Sequence, residues 1–116
     1  MSNVRVIVGG SATDDAADLV DAWEQVERGE HVETRRTLAF QSWEGMTAVL
    51  TGERVRLLKH VHEHPEPSIS ALARALGRRY SRVHADVTAL MEAGLLDRSG
   101  GAVRAAADRI TAEVNL

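Results

Sequence analysis

Apolar residues recur along this chain in two periods. Val4, Val6 and Val8, with Ile7 between them, form a β-branched run closed by Gly9-Gly10, which predicts a short strand and a break. Ser11 or Thr13 is placed to cap a helix opening on Asp14 and Asp15, acids suited to a helix N-terminus. Ala16, Leu19, Val20, Trp23 and Val26 give that helix one buried face, and Gly29 stops it. Its other face, with Asp18, Asp21, Glu24 and Glu27, reads as a solvated surface. Thr34 to Phe40 alternates loosely as a second strand, and Ser42 then caps a short helix from Trp43 to Leu50.

From Thr51 the pattern predicts three helices and a hairpin. Val55, Leu58 and Val61, with Leu57, make the stripe of the first helix, Arg54 lies opposite it, and Pro65-Glu66-Pro67 ends it. Ser68 or Ser70 caps a second helix whose Ile69, Leu72, Ala73 and Leu76 point inward, and Gly77 ends it after about two turns. The third runs from Ser81 to Ala93, with Val83, Val87, Leu90 and Met91 on its buried side, and stops at Gly94. Leu95 to Arg98 begins a strand, Ser99-Gly100-Gly101 turns it, and Ala102-Val103-Arg104 returns. Ile110, Ala112, Val114 and Leu116 alternate with Thr111, Glu113 and Asn115, as in a half-buried strand that pairs with Val4–Val8 within the chain or across a two-fold axis. The expected fold class is α+β. A strand-helix-strand-helix segment over residues 1–50 precedes a winged helix-turn-helix over 51–116, joined near Thr51 within one compact unit.

Composition narrows the chemistry. The 116 residues suit one domain, and the 44% apolar and 27% charged fractions are ordinary for a globular one. The absence of cysteine excludes disulfides, thiolate metal sites and thiol nucleophiles, and it fits a reducing, cytoplasmic setting. No apolar run approaches the roughly 18 residues of a membrane span, and the opening MSNVRVIVGG is too short and strand-like for a signal peptide. The net charge is −3, but residues 1–50 hold four Arg against nine acids, whereas 68–104 hold six Arg against three. Positive charge is concentrated in one stretch, which speaks to partners.

That stretch begins at the turn into the third helix. A helix seated in a major groove exposes its outer face and first turn to bases and phosphates while its inner face packs on the domain. The exposed positions here are Arg78, Arg79, Ser81, Arg82, His84 and Ala85, with Thr88 one turn further on. Small Ala85 lets such a helix sit deep. Arg98 and Arg104 flank the hairpin tip, and no acid occurs between Gly77 and Ala85. Asp86 would repel phosphate if exposed, so it is expected to pair with an Arg such as Arg82, or to accept from a cytosine.

The segment SISALARALGRRYSRVHADVTALMEAGLLDR resembles the helix-turn-helix core of MarR-like winged-helix regulators. The wider frame of VRVIVGG, DAWEQVERGE, FQSWEGMTAVLTGERVRLL and DRITAEVNL resembles a group of short DNA-binding proteins of archaea and bacteria. The resemblance implies a sequence-specific transcriptional regulator, expected to be a repressor, acting as a homodimer on double-stranded DNA. It implies DNA contacts at Arg78, Arg79, Ser81, Arg82, His84, Arg98 and Arg104. Some members of such groups sit beside toxin-like partners, so the alternative is a protein-interaction module or antitoxin. Ala105-Ala106-Ala107-Asp108 departs from the firmer strand entry expected there. Dimerisation also follows from size, because one helix and one wing make a small interface and specific affinity usually needs two half-sites.

Other chemistry is poorly supported by the residues. His60, His62 and His64 form an H-x-H-x-H string in which His60 and His64 share a helix face, yet His62 points elsewhere and no carboxylate completes a ligand set. Histidines near a helix C-terminus are favoured by the dipole alone. Nothing resembles a nucleophile elbow, and Gly9-Gly10 lacks the lysine of a phosphate loop. No cofactor, no metal and no enzymatic activity are therefore expected.

Overall fold

The structure is a computed structural model and describes residues 2–9 and 34–116. It is a small α+β domain. Strands β1 (Ser2–Val8) and β2 (Thr34–Phe40) precede helices α1 (Trp43–Val49), α2 (Gly52–Glu63), α3 (Ile69–Leu76) and α4 (Tyr80–Glu92). A hairpin of β3 (Leu96–Ser99) and β4 (Ala102–Ala105) and a last strand β5 (Arg109–Val114) complete it. The helix expected over Ala16–Val26 lies outside the described residues.

Strands β2, β1 and β5 form one parallel sheet in that order, with β1 in the centre. The two ends of the chain thus share one sheet, which settles the partner of the last strand within the chain. Val4, Val6 and Val8 point alternately from β1 into the main core, joined by Leu38 and Phe40 of β2. The helices and hairpin supply the rest: Leu57, Leu58 and Val61, then Ile69 and Leu72, then Val83, Val87 and Leu90, and finally Leu95, Leu96 and Val103.

Local signals place the helix ends. Ser42, Thr51 and Ser68 each accept a hydrogen bond from the N–H three residues on, at 3.1, 3.2 and 3.0 Å. Gly77, at φ +64°, ends α3: its N–H reaches the Arg74 carbonyl and the Arg78 N–H reaches that of Ala73. Gly94 repeats the arrangement after α4 at φ +75°, with the Leu95 N–H bonding the Leu90 carbonyl and both leucines buried. Gly100 and Gly101 both have positive φ, as a two-residue turn between right-twisted strands favours. Beyond the hairpin, the Ala106 N–H bonds the Leu95 carbonyl and the Ala106 carbonyl accepts from Arg36, so the alanine run is tied down at both peptide groups.

Several expectations are corrected. Ile110 and Val114 of β5 are 37% and 43% exposed and Leu116 fully so, where a half-buried row was expected. β5 lies at the sheet edge, and every residue of it is exposed. Val55 and Met91 are likewise exposed, and Leu57 takes the inward position on α2. Pro65-Glu66-Pro67 does more than stop a helix. The Glu66 N–H and carbonyl exchange hydrogen bonds of 3.2 and 2.7 Å with Val103, adding a one-residue third strand to the hairpin. Neither flanking proline has an N–H with which to extend that ladder.

Candidate nucleic-acid interface

Helix α4 stands on the core through Val83, Val87 and Leu90, so the spacing of those residues turns the opposite face outward. That face carries Arg79, Ser81, Arg82, His84, Ala85 and Thr88, all exposed. Six of the expected positions therefore come together on one surface. The Thr88 hydroxyl donates to the His84 carbonyl at 2.9 Å, which leaves its oxygen able to accept.

The start of α4 differs from that of the other three helices. Arg79 in the capping position makes no side-chain cap bond, where the others are capped by Ser42, Thr51 and Ser68; its first turn, like that of α3, holds no acid. The first amide directed into the helix is that of Val83, which bonds the Arg79 carbonyl at 3.1 Å. The preceding N–H groups point out of the helix end between Arg79 and Arg82. Orphan amides, the positive end of the helix dipole and two guanidiniums make a favourable setting for an anionic oxygen.

Asp86 is the one acid in the first two turns of α4, and it is turned away from this face. Its partners are neither Arg82 nor a surface group. Arg54 Nε donates to Asp86 Oδ1 at 3.0 Å, and Arg78 Nη1 lies 2.9 Å from Oδ2. The Arg78 contact is one of charge rather than a well-aligned hydrogen bond, and both of its atoms are buried. Arg54 also donates to the carbonyls of Val49 and Ala48 at 2.9 and 3.3 Å, and Arg78 Nε lies 3.5 Å from Glu53. Arg54, expected on the open side of α2, is in fact a part-buried clamp joining the end of α1, the start of α2 and the middle of α4. Arg78, expected at the DNA, is held in the same clamp with a side chain only 20% exposed.

The hairpin arginines also separate. Arg98 pairs across the ribbon with Val103 and Arg104 with Asp97, so the two guanidiniums lie on opposite faces. Arg98 curls over the tip and donates to the Gly101 carbonyl at 3.2 Å.

Sequence reading missed Tyr80 and Arg74. Tyr80 opens α4 half-exposed, its ring centroid 5.9 Å from that of His84. Between α3 and α4 lies an open concavity of about 430 Å³ lined by Ser70, Ala73, Arg74, Gly77, Arg78 and Tyr80. The i, i+4 spacing of Ser70 and Arg74 was the available signal, because it puts both on the exposed side of α3. The histidine string, by contrast, does not converge on one point: the His60 and His64 rings lie 5.7 Å apart, but His60 lies 2.7 Å from Glu66 and His62 lies 3.2 Å from Asp108. Among the described residues no three His, Cys, Asp or Glu side chains converge on a metal position. No described helix is long and apolar enough to cross a membrane.

Fold and surface together define a small α+β domain with a cationic, hydroxyl-bearing helix face. The HVO_A0114 family model matches residues 49–112, and the chain belongs to that family. The match spans α2, α3, α4 and the hairpin, with the clamp residues Arg54, Arg78 and Asp86, and leaves β1 and β2 outside. No curated protein and no solved structure matches the chain.

Proposed function

We propose that this protein is a winged helix-turn-helix DNA-binding regulator of transcription, MarR-like in its core, acting as a homodimer on double-stranded DNA. In this reading α3 and α4 are the helix pair, α4 enters the major groove, and the β3–β4 hairpin with its Glu66 bridge is the wing on the flanking backbone. The observation that carries it is the treatment of Asp86. The one carboxylate that would face phosphate is drawn inside and neutralised by Arg54 and Arg78, which leaves the outer face to Arg79, Ser81, Arg82, His84 and Thr88. Arg79 and Arg82 meet phosphates, the hydroxyls and His84 meet phosphates or base edges, and Ala85 permits close approach. Arg78 is a positioning residue that orients the start of α4 rather than a contact.

The test is binding of the purified protein to random-sequence and upstream-region duplexes at two salt concentrations. Tight, salt-dependent selection of a two-fold symmetric site is expected. Arg79→Ala and Arg82→Ala are expected to weaken binding and flatten the salt dependence while leaving the fold intact. Unchanged affinity and slope in both variants would move the function of this surface to a protein partner.

A further inference from the structure

Two apolar features have no occupant among the described residues, and both lie at the same edge. Strand β5 is an outer strand, and among the described residues nothing pairs with its far side. Its core-facing row, Ile110, Ala112 and Val114, is exposed and is followed by the fully exposed Leu116. Natural edges are usually blunted by proline, a bulge or an inward-pointing charge, and this row has none of these. Beside it, between α2 and the approach to β5, is a groove of about 270 Å³, more than the volume of one leucine side chain, whose apolar wall includes Val55, Leu58, Leu95, Ala105, Ala107 and Ile110.

The backbone orientation of β5 is set by the sheet. The Asn115 N–H donates to the Val8 carbonyl at 2.8 Å, so Asn115, Glu113, Thr111 and Arg109 direct their peptide groups at β1. Ile110, Ala112 and Val114 therefore direct theirs outward. We propose that β5 pairs antiparallel with β5 of a second copy of this chain about a two-fold axis at Ala112, and that Leu116 of each copy seats in the α2–β5 groove of the other.

The register follows from complementarity. With Ala112 on the axis, all three outward-facing residues exchange hydrogen bonds: Ala112 with the partner's Ala112, and Ile110 with the partner's Val114 in both directions. Both apolar rows then lie on one face of a continuous six-stranded sheet made of two three-stranded halves. On the other face, Arg109 forms no ion pair among the described residues and lies diagonal to the partner's Glu113, within reach of a long side chain. That carboxylate already accepts from Arg5 of its own chain at 2.9 Å, so the pairing would put it between two guanidiniums. The same register brings the partner's Leu116 opposite Asp108, which lines the groove. An axis at Thr111 would leave Val114 outside the paired strands and Leu116 away from the groove. One interface thus covers the edge and fills the cavity.

This inference deepens the homodimer in the proposed function, and its test reads self-association of the full chain without DNA. Sedimentation should show a dimer at micromolar concentration. Ala112→Pro removes an outward N–H that the protomer's own sheet does not use, and should weaken dimerisation about 100-fold with unchanged circular dichroism. Leu116→Glu should weaken it about tenfold or more by emptying the groove. Because the chain has no cysteine, Ala112→Cys should give a disulfide-linked dimer on oxidation, the facing Cα atoms being about 5.5 Å apart. That result stands even where the proline variant fails to fold. A monomeric native chain, a dimer that survives Ala112→Pro, or preferential crosslinking of Thr111→Cys would overturn the interface. A dimer that binds no DNA would overturn the functional reading alone, and a DNA-binding monomer the interface alone.

Discussion

Replacing Asp86 by Asn keeps the shape of the side chain and removes its charge, which isolates what the clamp contributes. The carboxylate faces Arg54 at 3.0 Å and Arg78 at 2.9 Å, and its side chain is 13% exposed. Breaking a fully buried ion pair costs about 3–5 kcal/mol, whereas an exposed pair is worth about 0.2–1. Both arginines keep other partners here. Arg54 retains the carbonyls of Ala48 and Val49, and Arg78 retains Glu53. The expected loss is therefore intermediate, about 2 kcal/mol, which at this chain length lowers the melting temperature by about 8 °C. Urea unfolding followed by circular dichroism measures it, and a cycle with Arg54→Met should return a coupling of about 1 kcal/mol. If Asp86 instead reads a cytosine, Asp86→Asn would change sequence preference and leave stability alone. A stability within about 0.5 kcal/mol of the native chain would refute the clamp.

Three further outcomes follow from the same geometry. Gly9→Ala should destabilise by about 1–3 kcal/mol, since Gly9 sits at φ +75° and an added Cβ would meet the Asn115 carbonyl oxygen at 2.7 Å. Hydrogen exchange should then rise first at the end of β5. Leu90→Ala should cost about 2–5 kcal/mol in denaturant unfolding, because Leu90 is fully buried where α4 meets the core. In a dimer, Arg79→Ala removes two phosphate contacts per site, so the slope of log K against log salt should change by about 1.8, twice the value of a monomeric complex.

What the sequence made legible was local. Gly77 and Gly94 mark helix ends because a positive φ is cheap only for glycine, and Ser42, Thr51 and Ser68 mark starts because a short hydroxyl reaches back to a free amide. The outer face of α4 was legible for the same reason, since a helical period fixes which side Arg79, Arg82 and His84 share. The misreadings concern relations between distant segments. Asp86 and Arg54 are 32 residues apart, and no periodicity links them. The single Glu66–Val103 bridge is too short to leave an alternating pattern. Ile110, Ala112 and Val114 alternate as a half-buried strand should, but their exposure depends on β5 being the edge, which is a property of the sheet. Arg98 and Arg104 part company through hairpin register alone.

A net charge of −3 is compatible with the proposed DNA-binding face because the field that phosphate would meet is local. At physiological ionic strength charges are screened over about 8 Å. Glu92, the other acid of α4, lies ten residues beyond Arg82, which at 1.5 Å per residue places it about 15 Å along the axis. Glu53 is shared between Arg56 at 2.7 Å and Arg78 at 3.5 Å, and Asp97 stands opposite Arg104 on the far face of the hairpin from Arg98. Asp86 is inside the clamp. Among the described residues, the acids nearest the outer face of α4 are thus held in the clamp, shared with arginines, on the hairpin or beyond screening range, and the cations on that face with no ion pair are Arg79 and Arg82. Overall charge then governs only long-range approach at low salt, where it opposes encounter. On the proposed reading, affinity at physiological salt rests on those two arginines, the open amides at the start of α4 and their repetition in a second copy.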